Sequence, residues 1–179
     1  VHNLDHRGAV GADPLAGDGA GRLIQIPDQF FRDDFANNDI TLPKIGDYGV
    51  GMVFFPQDKT RADLAKKAIE QTISNEGQIF IGWRDVPTNS KVVGEIASKS
   101  QPTIKQVFIS KNEKLSEKEF NIKLYIARKI SENNIYESEL SQKNYFYFSS
   151  LHNRTLIYKG LLIPEDIERF YLDLSNPKL

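Results

Sequence analysis

Hydrophobic positions along the chain follow two repeating patterns, and each predicts a different element. Tyr48-Gly49-Val50-Gly51-Met52-Val53-Phe54-Phe55 is an unbroken apolar run closed by Pro56, the pattern of a strand buried on both faces. Its two glycines point to a close approach by a neighbour. Leu23-Ile24-Gln25-Ile26 ended by Pro27, Ile79 to Arg84 closed by Pro87, and Val107-Phe108-Ile109 after Pro102 read as further strands. Leu64, Ala65, Ala68, Ile69 and Ile73 instead recur at helical spacing, behind a Thr60/Asp63 capping pair and ahead of Gly77. Phe120, Leu124, Ala127 and Ile130 predict a second helix, opened by Ser116 with Glu119 three residues on.

In the last third, Tyr145 to Leu151 and Arg154 to Lys159 flank His152-Asn153, which predicts an antiparallel hairpin. Pro164 then opens a short helix with Ile167, Phe170, Tyr171 and Leu174 facing inward. A loop containing Asn37, Asn38 and Asp39 leads to Leu42-Pro43. Gly8, Gly11, Gly17, Gly19 and Gly21 concentrate before the first strand, so that segment turns sharply or meets other backbone closely. No repeat or linker interrupts the 179 residues, and the expectation is one mixed unit of helices and strands.

Composition narrows the chemistry. With 40% hydrophobic and 26% charged residues and a mean hydropathy of -0.43, the chain can bury a core. The net charge of -1 supplies no field to draw nucleic acid or an anionic membrane. No run approaches the ~18 apolar residues of a membrane span, and the first residues lack the order of a secretory signal, so a soluble, cytoplasmic protein is the default expectation. The cysteine count is zero, which excludes disulfides, thiolate metal sites and a thiol nucleophile among these residues.

The remaining candidates each have a plain structural reading. Gly17-Asp18-Gly19-Ala20-Gly21 invites a phosphate loop, but it precedes a strand and no Gly-Lys-Ser/Thr follows, so a tight turn is the better reading. His2, His6 and His152 offer no helical metal pair and read as surface or capping histidines. Arg7 and Asp13 lie six apart in the turn-rich segment and form either a site pair or an ion pair that pins the loop. Trp83 at a strand end reads as core, and Lys111 to Glu119 as a solvated helix entrance.

At His6-Arg7-Gly8-Ala9, Gly11-Ala12-Asp13 and Gly17-Asp18-Gly19-Ala20-Gly21 the chain resembles the amino-terminal glutamine amidotransferase domain of glutamate synthase large subunits. The same order continues through Gln25-Ile26-Pro27, Tyr48 to Met52, Gly82 to Pro87, Leu124 to Lys129, Arg154 to Gly160 and Phe170 to Leu174. The resemblance implies an α+β fold, the four-layer αββα sandwich of amino-terminal-nucleophile hydrolases, with residues 1–179 forming a single partial domain incomplete at both ends. Exposed sheet edges and a partly uncovered face at Tyr48 to Phe55 would follow.

The family activity is hydrolysis of glutamine to glutamate and ammonia. In the parent protein the ammonia would pass to amination of 2-oxoglutarate, with FMN, an iron-sulfur cluster and NAD(P)H or ferredoxin as electron donor. Partners would be glutamine, the remaining domains of the large subunit and a small subunit. The resemblance makes Arg7, Asp13 and Asp18 supporting residues around the family's cysteine nucleophile; none is given a chemical step, and no metal or cofactor is expected on this chain. Without cysteine, the 179 residues are expected to be inactive alone. Two alternatives stand beside this reading: a non-catalytic binding module derived from the same fold, and a piece of another class II amidotransferase, such as one making asparagine or a phosphorylated amino sugar.

Overall fold

The computed structural model describes residues 17, 19–36, 40–94 and 98–179. The chain divides into two compact units, one comprising residues 1–23, 86–101 and 157–179, the other residues 24–85 and 102–156.

The second unit is built on β2, Tyr48–Phe55, which is buried at every position. It runs antiparallel between β4, Thr103–Ser110, and β5, Tyr147–His152, while β3, Ile79–Asp85, pairs with the far side of β4. The sheet order is therefore β3-β4-β2-β5. An uncovered β2 was expected of a partial domain; the structure corrects this, because a strand apolar on both faces lies at the centre of the sheet with helices over its sides. Each pairing on the outer strands carries one extra residue, Ser149 opposite Met52/Val53 and Ile81 opposite Phe108/Ile109, and such bulges increase local twist.

One face of this sheet packs on α2, Lys59–Asn75, and α3, Glu117–Glu137. Val53, Phe55, Val107, Ile109, Phe148 and Leu151 meet Ala65, Ile69, Ile73, Phe120, Leu124 and Ile135 in a continuous apolar core. The α2 cap is Asp58, whose carboxylate accepts from the Arg61 N–H, two residues ahead of the expected Thr60. Leu64, placed in the apolar stripe by spacing, is exposed, and Ala62 takes the buried position. At α3 the capping box of Ser116 and Glu119 forms as expected. Its inward stripe continues through Ser131 and Ile135, and Ile130 lies to the side.

The opposite face carries α1, Asp28–Phe35, a helix absent from the sequence reading. Phe31 and Phe35 set their rings edge-on against Phe108, with centroids 4.9 and 4.8 Å away. No side chain caps its start, which removes the usual sequence mark of a helix. It is held instead by Arg32, whose guanidinium bonds Asp28 one turn back at 2.8 and 3.0 Å and the Leu42 carbonyl at 2.9 Å. Tyr48 donates its hydroxyl to the same Asp28 at 2.9 Å.

The predicted hairpin does not form. β5 pairs with β2, whereas β6, Thr155–Gly160, pairs with β1, Ala20–Gln25, in a separate two-stranded sheet. A two-residue hairpin turn needs positive φ, and among the described non-glycine residues only Gln142 has it. Asn153 is instead drawn away, donating its amide to the Gly46 carbonyl at 3.0 Å, and the Arg154 carbonyl receives the Ile26 N–H at 2.9 Å. β5 also starts later than expected, after a 3₁₀ turn at Lys143–Tyr145. In the first unit, α4, Asp166–Phe170, and the following 3₁₀ turn bury Ile167, Phe170, Tyr171 and Leu174 as the spacing predicts.

The missing side chain at Gly49 explains how closely α3 packs on β2, and the one at Gly51 how closely side chains of β4 and β5 close over it. A Cβ on Gly49 would lie 2.6 Å from Leu124 Cδ1, and one on Gly51 would lie 2.8 Å from Val107 Cγ1 and 3.0 Å from Leu151 Cδ1. We expect Gly51→Ala to destabilise the fold by about 1–3 kcal/mol, the usual cost of overpacking. Chemical denaturation checks this, and an unchanged midpoint would show that the core yields freely.

Candidate functional site

Arg7, Asp13 and Asp18, the residues singled out by the sequence, lie outside the described residues, as do His2 and His6. What is described of the same element is Gly17, Gly19, Ala20 and Gly21. A Cβ on Gly17 would collide with the Leu162 carbonyl oxygen, lying 2.5 Å from its carbon and 2.6 Å from the Ile163 nitrogen. Gly19 has φ +131°, a conformation that side chains rarely adopt, and a Cβ on Gly21 would sit 3.3 Å from the Tyr158 carbonyl oxygen. Gly17 and Gly21 thus lie close against the backbone of residues 158–163, and β1, not a helix, begins at Ala20. The described part of the run is extended rather than the tight turn expected of it, with Ala20 and Gly21 already in β1, and it differs from a phosphate loop, which a helix follows.

The strand beneath that run is held by a buried polar frame. Tyr158 donates its hydroxyl to Asp173 at 3.0 Å, and Tyr171 donates to the Lys159 carbonyl at 2.7 Å. The two rings meet edge to face at 5.0 Å. The α4 end is tied in turn to residues 87–89, by Asn89 N–H to the Phe170 carbonyl at 2.8 Å and Leu172 N–H to the Pro87 carbonyl at 3.1 Å. Sequence reasoning passed over the Tyr158–Asp173 pair that holds this strand. The available signal was a carboxylate enclosed in Leu172-Asp173-Leu174, since a buried carboxylate requires a donor.

Trp83 belongs to the core as read, with Phe55 at 5.6 Å and its indole N–H donated to Glu70 at 2.6 Å. Its neighbour Arg84 is buried on the other face of the sheet, bonded to Asp34 at 2.7 Å and Gln106 at 3.0 Å beneath the Phe30 ring. Both residues brace the fold.

His152 ends β5 beside an open groove of about 660 Å³ lined by Glu117, Lys118, Asn121, Ile122 and Tyr125. Its Nδ1 accepts the Arg154 N–H at 3.0 Å, the capping role expected of it. Burial lowers its pKa, as does the nearby Arg154 cation, against the opposing charge of Glu117. Hydrogen bonds from the Arg154 guanidinium and the Asn153 amide bring the Glu117 carboxyl down to about 2. The groove pairs no nucleophile with a base, and among the described residues no group of three or more His, Asp or Glu is arranged to hold a metal. Nor is any described helix long and apolar enough to cross a membrane.

A family model for class II glutamine amidotransferases matches residues 1–179. The chain belongs to that family of amino-terminal-nucleophile hydrolases, and its helices and antiparallel sheet are of the α+β class. More particularly, it is similar to the glutamate synthase (NADPH) large chain of Bacillus subtilis (strain 168), with 47% identity over 174 residues, 97% of this chain and 11% of that protein. It is 41% identical over 179 residues to the chloroplastic ferredoxin-dependent glutamate synthase of Spinacia oleracea, 98% of this chain and 11% of that one. Identity to the glutamate synthase (NADH) of Saccharomyces cerevisiae is 35% over 184 residues, 97% of this chain and 8% of the relative. The chain thus spans 8–11% of the length of these relatives.

The Glu117 contacts predict a pH signature. Its folded pKa of about 2 lies below the ordinary 4.5, so its contribution is complete above about pH 4.5 and is lost as the pH falls toward 2. The melting-temperature difference between the native protein and Glu117→Gln should shrink across that window. A difference that is constant from pH 6 to 2 would contradict the assignment.

Proposed function

We propose that this chain is part of the glutaminase domain of a glutamate synthase, which hydrolyses glutamine to glutamate and ammonia. The observation that carries the reading is the match of the class II family along residues 1–179, together with relatives that are glutamate synthases over 97–98% of this chain. In this reaction a cysteine thiolate at a processed amino terminus adds to the amide carbon. The cysteine's own α-amine, with a pKa of about 8, carries the proton to departing ammonia, and water then releases glutamate from the thioester. Arg7, Asp13 and Asp18 would support that nucleophile, and hydrogen-bond donors would stabilise the tetrahedral oxyanion.

The released ammonia would serve amination of 2-oxoglutarate elsewhere in the parent. FMN and an iron-sulfur cluster would be held there too, because 179 residues without cysteine supply no thiolate for a cluster. The relatives' names include NADPH, NADH and ferredoxin, so the reading leaves the donor class at NAD(P)H or ferredoxin. The remaining domains of the large subunit and a small subunit would be its partners. The zero cysteine count favours one second reading, a binding module on the same fold.

Ammonia release from glutamine decides between them. The 179-residue chain alone should release none, and the polypeptide encoded by the whole reading frame, carrying an amino-terminal cysteine, should turn glutamine over. Turnover by the short chain would overturn its inactivity. A whole polypeptide without such a cysteine that binds a protein partner but not glutamine would establish the module.

A further inference from the structure

We propose that the outward ridge of α3 is a docking surface for a second copy of this chain, the two α3 helices lying antiparallel about a two-fold axis between Lys129 and Glu132. The proposal concerns the second unit alone and does not depend on the glutaminase reading.

Helix α3 carries two stripes. Phe120, Leu124, Ala127, Ser131 and Ile135 are buried against the sheet. On the outward side Ile122, Tyr125, Lys129, Glu132 and Tyr136 follow one another at steps of three, four, three and four residues, the spacing of the seam between paired helices. A helix that meets only its own core is ordinarily polar on its outer face. Here Ile122, Tyr125 and Tyr136 are 49, 60 and 67% exposed, and tyrosine is enriched where proteins meet.

The order of residues along the ridge selects a second copy as the occupant. About the proposed axis Lys129 faces Glu132 of the second copy, Tyr125 faces its Tyr136, and Ile122 faces its Glu139 and Leu140. Because the axis is two-fold, every pairing occurs twice and the contact closes on itself. The centre is thereby complementary in charge, and an aromatic pair flanks it on either side. A parallel pairing would instead set Lys129 against Lys129 and Glu132 against Glu132. The groups also have capacity to spare. Glu132 accepts from Arg128 at 3.0 Å, Lys129 at 3.0 Å and the Phe148 N–H at 3.4 Å, three donors against about four lone-pair sites on a carboxylate. Lys143 stands 5.4 Å from the Tyr136 ring centroid, which occupies one face of the ring and leaves the other. At the ends of the ridge Lys118 comes opposite Lys143 of the second copy, a repulsion between exposed groups that salt screens. Stable interfaces bury about 1,200–2,000 Å² in total; a single helix ridge belongs below that range, so the association is weak and rises with concentration.

The test places p-benzoylphenylalanine at position 125 of the polypeptide encoded by the whole reading frame, irradiates it, and reads the products on a denaturing gel. A species of twice the mass is expected, with position 125 joined to the peptide that contains Tyr136. Lys129→Glu should lower its yield at least about tenfold, since like charges then meet at the axis. Co-expression of the Lys129→Glu and Glu132→Lys chains should restore it, because both central pairs are again opposite in charge. Lys67→Glu, on the exposed side of α2, should leave it unchanged. If Glu132→Lys fails to fold, the mapped crosslink and its loss in Lys129→Glu still decide. Crosslinks confined to single chains would overturn the proposal and assign the ridge to another domain of the same polypeptide. A native yield of the double-mass species in Lys129→Glu would overturn it equally.

Discussion

Close packing against the central strand, by helix α3 and by its neighbouring strands, depends on two side chains that are not there. Leu124 occupies the space in front of Gly49, and Val107, Leu151 and Phe148 converge on Gly51. With those two positions bare, residues from three neighbouring elements reach the strand's own backbone and gain dispersion contacts there. The burial of all eight residues of β2 follows from this approach. Because β4 and β5 flank both its edges, helices can cover this strand only above and below, and α2 and α3 share one of those faces.

The two faces of that sheet are chemically unlike. The α2/α3 side is an apolar core, whereas the α1 side contains Arg84 and Gln106, both buried and bonded to each other and, through Arg84, to Asp34. Burying a guanidinium carries a large desolvation cost that the ion pair and hydrogen bonds offset only when all are in place. The stacking of Arg84 over Phe30, 5.0 Å from the ring centroid, adds a favourable cation–π contact. Together these contacts tie α1 to the sheet at Asp34 and Phe30.

Elements whose apolar spacing is strong were legible in the sequence, because burial enforces periodicity. This holds for β2, α2, α3 and the run from Ile167 to Leu174. The failures occurred where tertiary contacts overrule local pattern. The Asn153 amide is claimed by Gly46, which separates β5 from β6, and α1 is stabilised by Arg32 reaching carbonyls ten and eleven residues away rather than by a cap. The candidate site was legible only as a family motif. Gly17 and Gly21 of that motif are explained by their close approach to residues 158–163, yet nothing in the local pattern says that Tyr158 bonds Asp173, for their pairing spans 15 residues of chain.

Strand β5 lies at an edge of the sheet, and α3 attends to it. Arg128 donates to the Phe148 carbonyl at 2.8 Å, and Glu132 accepts the Phe148 N–H at 3.4 Å while bonding Arg128 at 3.0 Å. One ion pair on a helix thereby imitates a single residue of a neighbouring strand, supplying both its donor and its acceptor. A segment approaching this edge, from the same polypeptide or from another molecule, finds the Phe148 position already answered. The guard depends on ionised groups, so its strength follows the charge of Glu132 and belongs to the helix surface rather than to the sheet it protects.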